Sequence, residues 1–177
     1  MIDSIDKILL SEEYLSEIVS KLGKRISEDY KDKNLLMISV LKGSVIFMSD
    51  LMRKISIPCM IDFMAVSSYL GTKSSGEVRI LKDLDIPIEG YDILVVEDIL
   101  DSGRTLSYIL EMLKSRNPKS IKLCTLLDKP EARKAEIYAD YVGEKIPNEF
   151  VVGYGLDYNE KYRNLPFIGV LSSKVYS

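Results

Sequence analysis

Hydrophobic positions along this chain follow two rhythms: short unbroken runs, and stripes spaced three and four residues apart. Leu15, Ile18, Val19, Leu22 and Ile26 form one such stripe, the spacing that lines a single helix face. Ser11 stands before it, with Glu12 and Glu13 in the first turn, so the helix has a capping hydroxyl and acids at its positive end. Residues 35–41 are a continuous apolar run, which predicts a strand buried on both faces. A helix is expected over 45–55 and a strand over 60–66, and the partial alternation over 77–84 predicts a longer, more exposed strand. Ile93 to Val96 is a buried strand that stops at two acids, Glu97 and Asp98. A helical pattern over 106–113 must end before Pro118. Residues 121–127 read as a strand, with shorter candidates at 150–152 and 167–171. Strands alternating with helices predict an α/β fold with a mostly parallel sheet flanked by helices. No repeat or linker-like tract interrupts residues 1–177, so one domain is expected.

Composition narrows the partners. The 177 residues, 46% of them hydrophobic, supply a full core. Twenty-four basic residues against 27 acidic ones leave a net charge of −3, which points to neither nucleic acid nor an anionic membrane surface. The first residues carry no basic segment followed by an apolar stretch, and no run approaches a membrane span, so a cytoplasmic location is expected. Cys59 and Cys124 both fall in expected strands and read as buried free thiols. Histidine is absent. That removes Ser-His-Asp and Cys-His schemes and most zinc sites.

In a parallel sheet, ligands gather at the carboxyl ends of the strands. There the chain places Lys42, Glu97 with Asp98, and Lys129. The stretch after Asp98 brings Asp101, Ser102, Gly103, Arg104 and Thr105 just ahead of a helix. Free N–H groups, the helix dipole, a glycine and two hydroxyls make such a loop an anion site. The paired acids do not suit a phosphate, but they suit sugar hydroxyls, which donate to carboxylates. Residues 93–106 resemble the phosphoribosyl pyrophosphate signature of the type I phosphoribosyltransferases. That resemblance implies that Glu97 and Asp98 hold the ribose and that residues 101–105 hold the 5-phosphate.

Other segments extend the resemblance in the family's order. Leu41-Lys42-Gly43-Ser44 reads alone as a turn capped by Ser44, but it resembles the pyrophosphate loop of the 6-oxopurine phosphoribosyltransferases, which carries a non-proline cis peptide. Residues 67–76 are small and polar; as a hairpin they are unremarkable, and by resemblance they are a lid in which Ser68 and Tyr69 cover the pyrophosphate. Lys129, by the same resemblance, donates to the purine 6-oxygen, while Tyr141 offers a stacking face beside Val142. The stretch from Val151 through Asp157-Tyr158-Asn159-Glu160 to Arg163 resembles the C-terminal segment of hypoxanthine-guanine phosphoribosyltransferases. It implies Asp157 near the purine and the metal's water shell, and Arg163 on pyrophosphate.

The resemblance therefore implies a type I phosphoribosyltransferase fold with a small hood. The activity it implies joins hypoxanthine, and guanine, to phosphoribosyl pyrophosphate. Mg2+ is the implied cofactor, with Glu97, Asp98 and Asp157 as the metal-facing carboxylates. Asp101 is the implied proton acceptor, and a homodimer or homotetramer is expected. Two other readings stay open: an RNA-binding regulator on the same fold, and a xanthine-guanine or adenine transferase.

Overall fold

The computed structural model describes residues 2–68 and 78–176. Its centre is a six-stranded sheet of β2 (Leu35–Leu41), β3 (Cys59–Ser68), β4 (Val78–Lys82), β5 (Asp92–Leu100), β6 (Ser120–Asp128) and β7 (Tyr141–Lys145). The spatial order is β4-β3-β2-β5-β6-β7, parallel throughout except for the antiparallel edge strand β4. Helices α1 (Glu12–Asp29), α2 (Val45–Met52) and α3 (Arg104–Lys114) complete the layers.

The unbroken apolar runs have a direct cause. Successive strand side chains point to opposite faces, and both faces of the central strands are covered. Leu35 and Met37 of β2, with Leu94 and Val96 of β5, join the core that contains the buried stripe of α1 and Phe47, Met48 and Leu51 of α2. Their neighbours Leu36, Ile38, Ile93 and Val95 join a second core with Leu106, Ile109 and Leu113 of α3. The Ser11 side chain accepts from the Tyr14 N–H as the capping reading requires.

A second sheet of three antiparallel strands, β1 (Ile5–Leu10), β9 (Ile168–Leu171) and β8 (Val151–Val152), forms the hood. Among the described residues no helix is long and apolar enough to cross a membrane.

Several boundaries differ from the sequence-based expectation. The helix expected over 45–55 ends at Met52, and the strand expected over 77–84 is confined to Val78–Lys82. Ser67 and Ser68 belong to β3, where they pair with Arg79 and Val78, while Tyr69 and the rest of the expected lid lie outside the described residues. Most consequential is β5, which does not stop at Val96. Glu97 pairs with Thr125 and Ile99 with Leu127, so both acids belong to the ladder itself. Both thiols are free, but Cys59 is only half-buried.

Candidate active site

The carboxyl ends of β2 and β5 open into a cleft of about 300 Å³ lined by Gly43, Glu97, Asp98, Asp101, Ser102, Gly103 and Thr105 among others. Its acidic wall is built by the strand. Glu97 is buried, and that burial, followed by the neighbouring Asp98 charge, holds its carboxyl well above the usual range. Burial likewise pushes Asp98 up to about 6. Carboxyls in this state favour a proton, a cation or a donor. The Asp98 side chain accepts from the Ile99 N–H at 2.7 Å. It also lies so close to Gly43 that a β-carbon there would stand 1.9 Å from its Oδ2. Only glycine permits this approach.

The anion loop follows. Gly103 has φ +79, a left-handed geometry that favours glycine, and forms the N-terminal boundary of α3. Asp101, Ser102 and Thr105 face the cleft. Arg104 does not. It lines a separate depression with Ser107 and Glu111.

At the end of β6, Lys129 is buried, with Nζ 3.9 Å from Asp101 Oδ2. Burial lowers its pKa, partly opposed by Asp101.

Beside the cleft, reached across Gly43, lies a cluster that carries the cations. The Leu41–Lys42 peptide is cis, as the Leu-Lys-Gly resemblance implies. Lys42 Nζ reaches Glu160 Oε2 at 3.0 Å. Arg163 bonds Asp157 Oδ1 at 2.9 Å, Glu160 Oε1 at 3.2 Å and the Gly155 carbonyl at 2.7 Å. A β-carbon on Gly155 would meet the Gly43 carbonyl at 2.1 Å, so this segment lies backbone to backbone on the Lys42 loop. Lys42, Gly43, Asp98, Asp157 and Arg163 are thereby brought together.

A model described as "Phosphoribosyl transferase domain" matches residues 7–159. The chain belongs to the phosphoribosyltransferase family. It is 59% identical over 174 residues to a hypoxanthine-guanine phosphoribosyltransferase of Streptococcus pyogenes, covering 98% of this chain and 97% of that protein. It is also 55% identical to a bifunctional protein TilS/HprT of Listeria monocytogenes; all of this chain aligns, but it spans only 28% of that longer protein. Among solved structures, a hypoxanthine phosphoribosyltransferase of Staphylococcus aureus superposes with a TM-score of 0.97 at 54% identity, covering 100% of this chain and 97% of that one.

Within this phosphoribosyltransferase, two sequence-based placements fail on geometry. Tyr141 is 1% exposed, and its hydroxyl donates to Asp29 Oδ2 at 2.7 Å. Arg25 and Lys122 stand over its ring at 4.9 and 5.5 Å. It opens β7 opposite Cys124, and Val142 pairs with Thr125. Tyr141 is thus four residues short of the strand end that carries Asp128, about 13 Å at the usual strand rise. It is a core residue with no face free for a base. The second failure concerns the metal set: among the described residues no three His, Cys, Asp or Glu side chains gather. Asp157 is bound to Arg163 and to the Glu160 N–H, and does not join Glu97 and Asp98 as a third ligand.

Three contributors were missed. Phe150 is 41% exposed, edge-on to Tyr158 at 5.8 Å and stacked on Tyr176 at 5.1 Å. It lies four residues after Ile146, whose N–H bonds the Asp128 carbonyl beside Lys129. Taken only as the start of a strand, its exposure was invisible. Glu160 and Arg133 were also missed, because an isolated charge in a loop carries no sequence signal of its partners.

A larger cavity of about 550 Å³ touches Arg163 from the side of α1 and α2, but none of Glu97, Asp98 or Asp101 lines it. It lacks the anion loop, so it is not where this chemistry would occur.

Proposed function

We propose that the protein transfers the phosphoribosyl group of phosphoribosyl pyrophosphate to hypoxanthine or guanine. The observation that carries this reading is the joining of three binding elements at adjacent strand ends. These are two carboxyls held above their usual range, a helix-entry anion loop, and a buried lysine 3.9 Å from Asp101. The carboxyls accept the ribose hydroxyls, and the N–H and hydroxyl groups of residues 101–105 take the 5-phosphate. Lys129, a donor without an acceptor, reads a 6-oxygen and rejects an amino group. Phe150 in place of Tyr141 supplies the aromatic face for the base.

In the reaction a purine ring nitrogen bonds to C1′ as the bond from C1′ to pyrophosphate breaks. Asp101 accepts the ring proton, and Lys42 and Arg163 exchange their carboxylate partners for the departing pyrophosphate. Hard carboxylate oxygens at Glu97 and Asp98, without a closed cage, fit a magnesium ion that keeps most of its shell from substrate and water. When bound, the ion adds positive charge at the phosphate oxygens. Assembly into a homodimer or homotetramer belongs to the same reading and is checked by sedimentation.

A panel of purines incubated with phosphoribosyl pyrophosphate and magnesium, with product chromatography, tests the proposal. Inosine and guanosine monophosphates with pyrophosphate are expected. No nucleotide from either base, or efficient use of adenine, overturns it.

A further inference from the structure

Behind the anion loop stands Arg133, a nearly buried guanidinium with 14% of its side chain exposed. Its Nε donates to the Asp101 carbonyl at 2.9 Å, one terminal nitrogen to the Ile137 carbonyl at 2.6 Å, and the other to the Leu100 carbonyl at 3.2 Å and to Asp128 Oδ1. Neighbouring amides extend the grip: Lys129 N–H bonds the Leu100 carbonyl, and the N–H groups of Lys134 and Ala135 both bond the Ser102 carbonyl. Ile137 and the Arg133 stem also fill the space beneath Gly103.

Three consecutive carbonyls, those of Leu100, Asp101 and Ser102, are therefore held by the segment running from Lys129 to Ala135. In a trans peptide the C=O and the following N–H point in opposite directions. Fixing these carbonyls turns the N–H groups of Asp101, Ser102 and Gly103 the other way, towards the cleft where an anion would sit. The segment that holds them begins with Lys129, the residue assigned to the base.

We propose that Arg133 is a positioning residue that sets the phosphate-binding amides and Lys129 in one fixed geometry. The proposal rests on the phosphoribosyl-transfer reading of the cleft. Arginine suits the task because its planar fork presents five donors at fixed angles, whereas lysine presents a point charge on a flexible stem. The residue touches no substrate. It acts through the backbone of the loop and through Asp128.

The test compares the unmodified protein with Arg133→Lys. A misplacement near 1 Å costs a positioned reaction about 10²-fold, so kcat/KM for phosphoribosyl pyrophosphate should fall by roughly 10–100-fold while the circular dichroism spectrum is kept. Millimolar guanidinium ion, which refills the fork, should restore part of the loss, and methylammonium should not. Undiminished turnover in the variant overturns the assignment, as does a loss that guanidinium leaves untouched. An unmodified protein without turnover would instead sink the functional reading.

Hydrogen exchange in the unmodified protein gives a second measurement that needs no folded variant. Ribose 5-phosphate should slow exchange at the amides of Lys129, Lys134 and Ala135, none of which faces the anion site. Slowing confined to residues 101–105 overturns the coupling.

Discussion

The acid wall of the cleft and the cation wall beside it treat charge in opposite ways. On the strand side, Glu97 and Asp98 are carried by a rigid parallel ladder, and among the described residues neither has a salt bridge. Their carboxyls are raised chiefly because the fold removes them from water, and at Asp98 the Arg163 charge offsets this only in part. On the loop side, each charge has found its opposite: Lys42 with Glu160, and Arg163 with both Asp157 and Glu160. The acids are thus buried at the expense of the unliganded fold, whereas the cations rest against internal counter-ions, which pyrophosphate would have to displace in the proposed reaction. One wall waits for a ligand; the other exchanges partners for one.

The largest expected effect sits where the acid wall meets β6. A site built around one buried donor rejects the wrong partner by roughly 10⁴–10⁵-fold, so hypoxanthine should be preferred over adenine on that scale. Lys129→Gln, able to donate and accept, should shrink the ratio by at least about 10²-fold; competition assays with both bases read it directly. Next comes Asp101→Asn, which should lower turnover by about 10²–10⁴-fold with little change in base affinity. Single-turnover kinetics would show a near-normal rate if the residue only shapes the loop. The smallest effect belongs to the other wall. Exposed ion pairs contribute little, so Glu160→Gln should tighten inhibition by pyrophosphate only about 1.4–5-fold, and less at high salt. Weaker inhibition would show that Glu160 gathers the cations instead of competing for them.

This contrast also explains what the sequence reveals. The acid wall and anion loop are contiguous from Glu97 to Thr105, and the run of Ile93 to Val96 marks the strand that presents them. Local order suffices there. Even so, the strand looks four residues too short, because side-chain charge hides a backbone ladder that extends to Leu100. The cation wall joins residues more than a hundred positions apart, and no local pattern records that Lys42 meets Glu160. Tyr141 shows the same limit from the other side. Its neighbourhood in sequence looks suitable for a base, but its place at the amino end of β7 buries it against α1. Strand β1 holds Ile5, Ile8, Leu9 and Leu10, but these neither alternate nor run unbroken along it, and only Leu10 is buried.

In the proposed reaction Glu97 and Asp98 serve the ligand at the expense of the unliganded fold. Asp98 has a folded pKa of about 6, above its unfolded value of about 3.9. The folded state therefore binds more protons, and the stabilisation is full below about pH 4 and lost as pH rises through about 6. Glu97, raised well above the usual carboxylate range by burial, acts in the same direction. The direct measurement is the melting temperature of the double variant Glu97→Gln, Asp98→Asn against the unmodified protein, without ligand, at pH 5 and pH 8, paired with calorimetric titration of phosphoribosyl pyrophosphate. The variant should be more stable at pH 8 by on the order of 1–3 kcal/mol, roughly 2–10 °C, with a smaller gap at pH 5 and no detectable binding. A variant that is less stable at pH 8, or that binds with unchanged affinity, would contradict this role of the two acids.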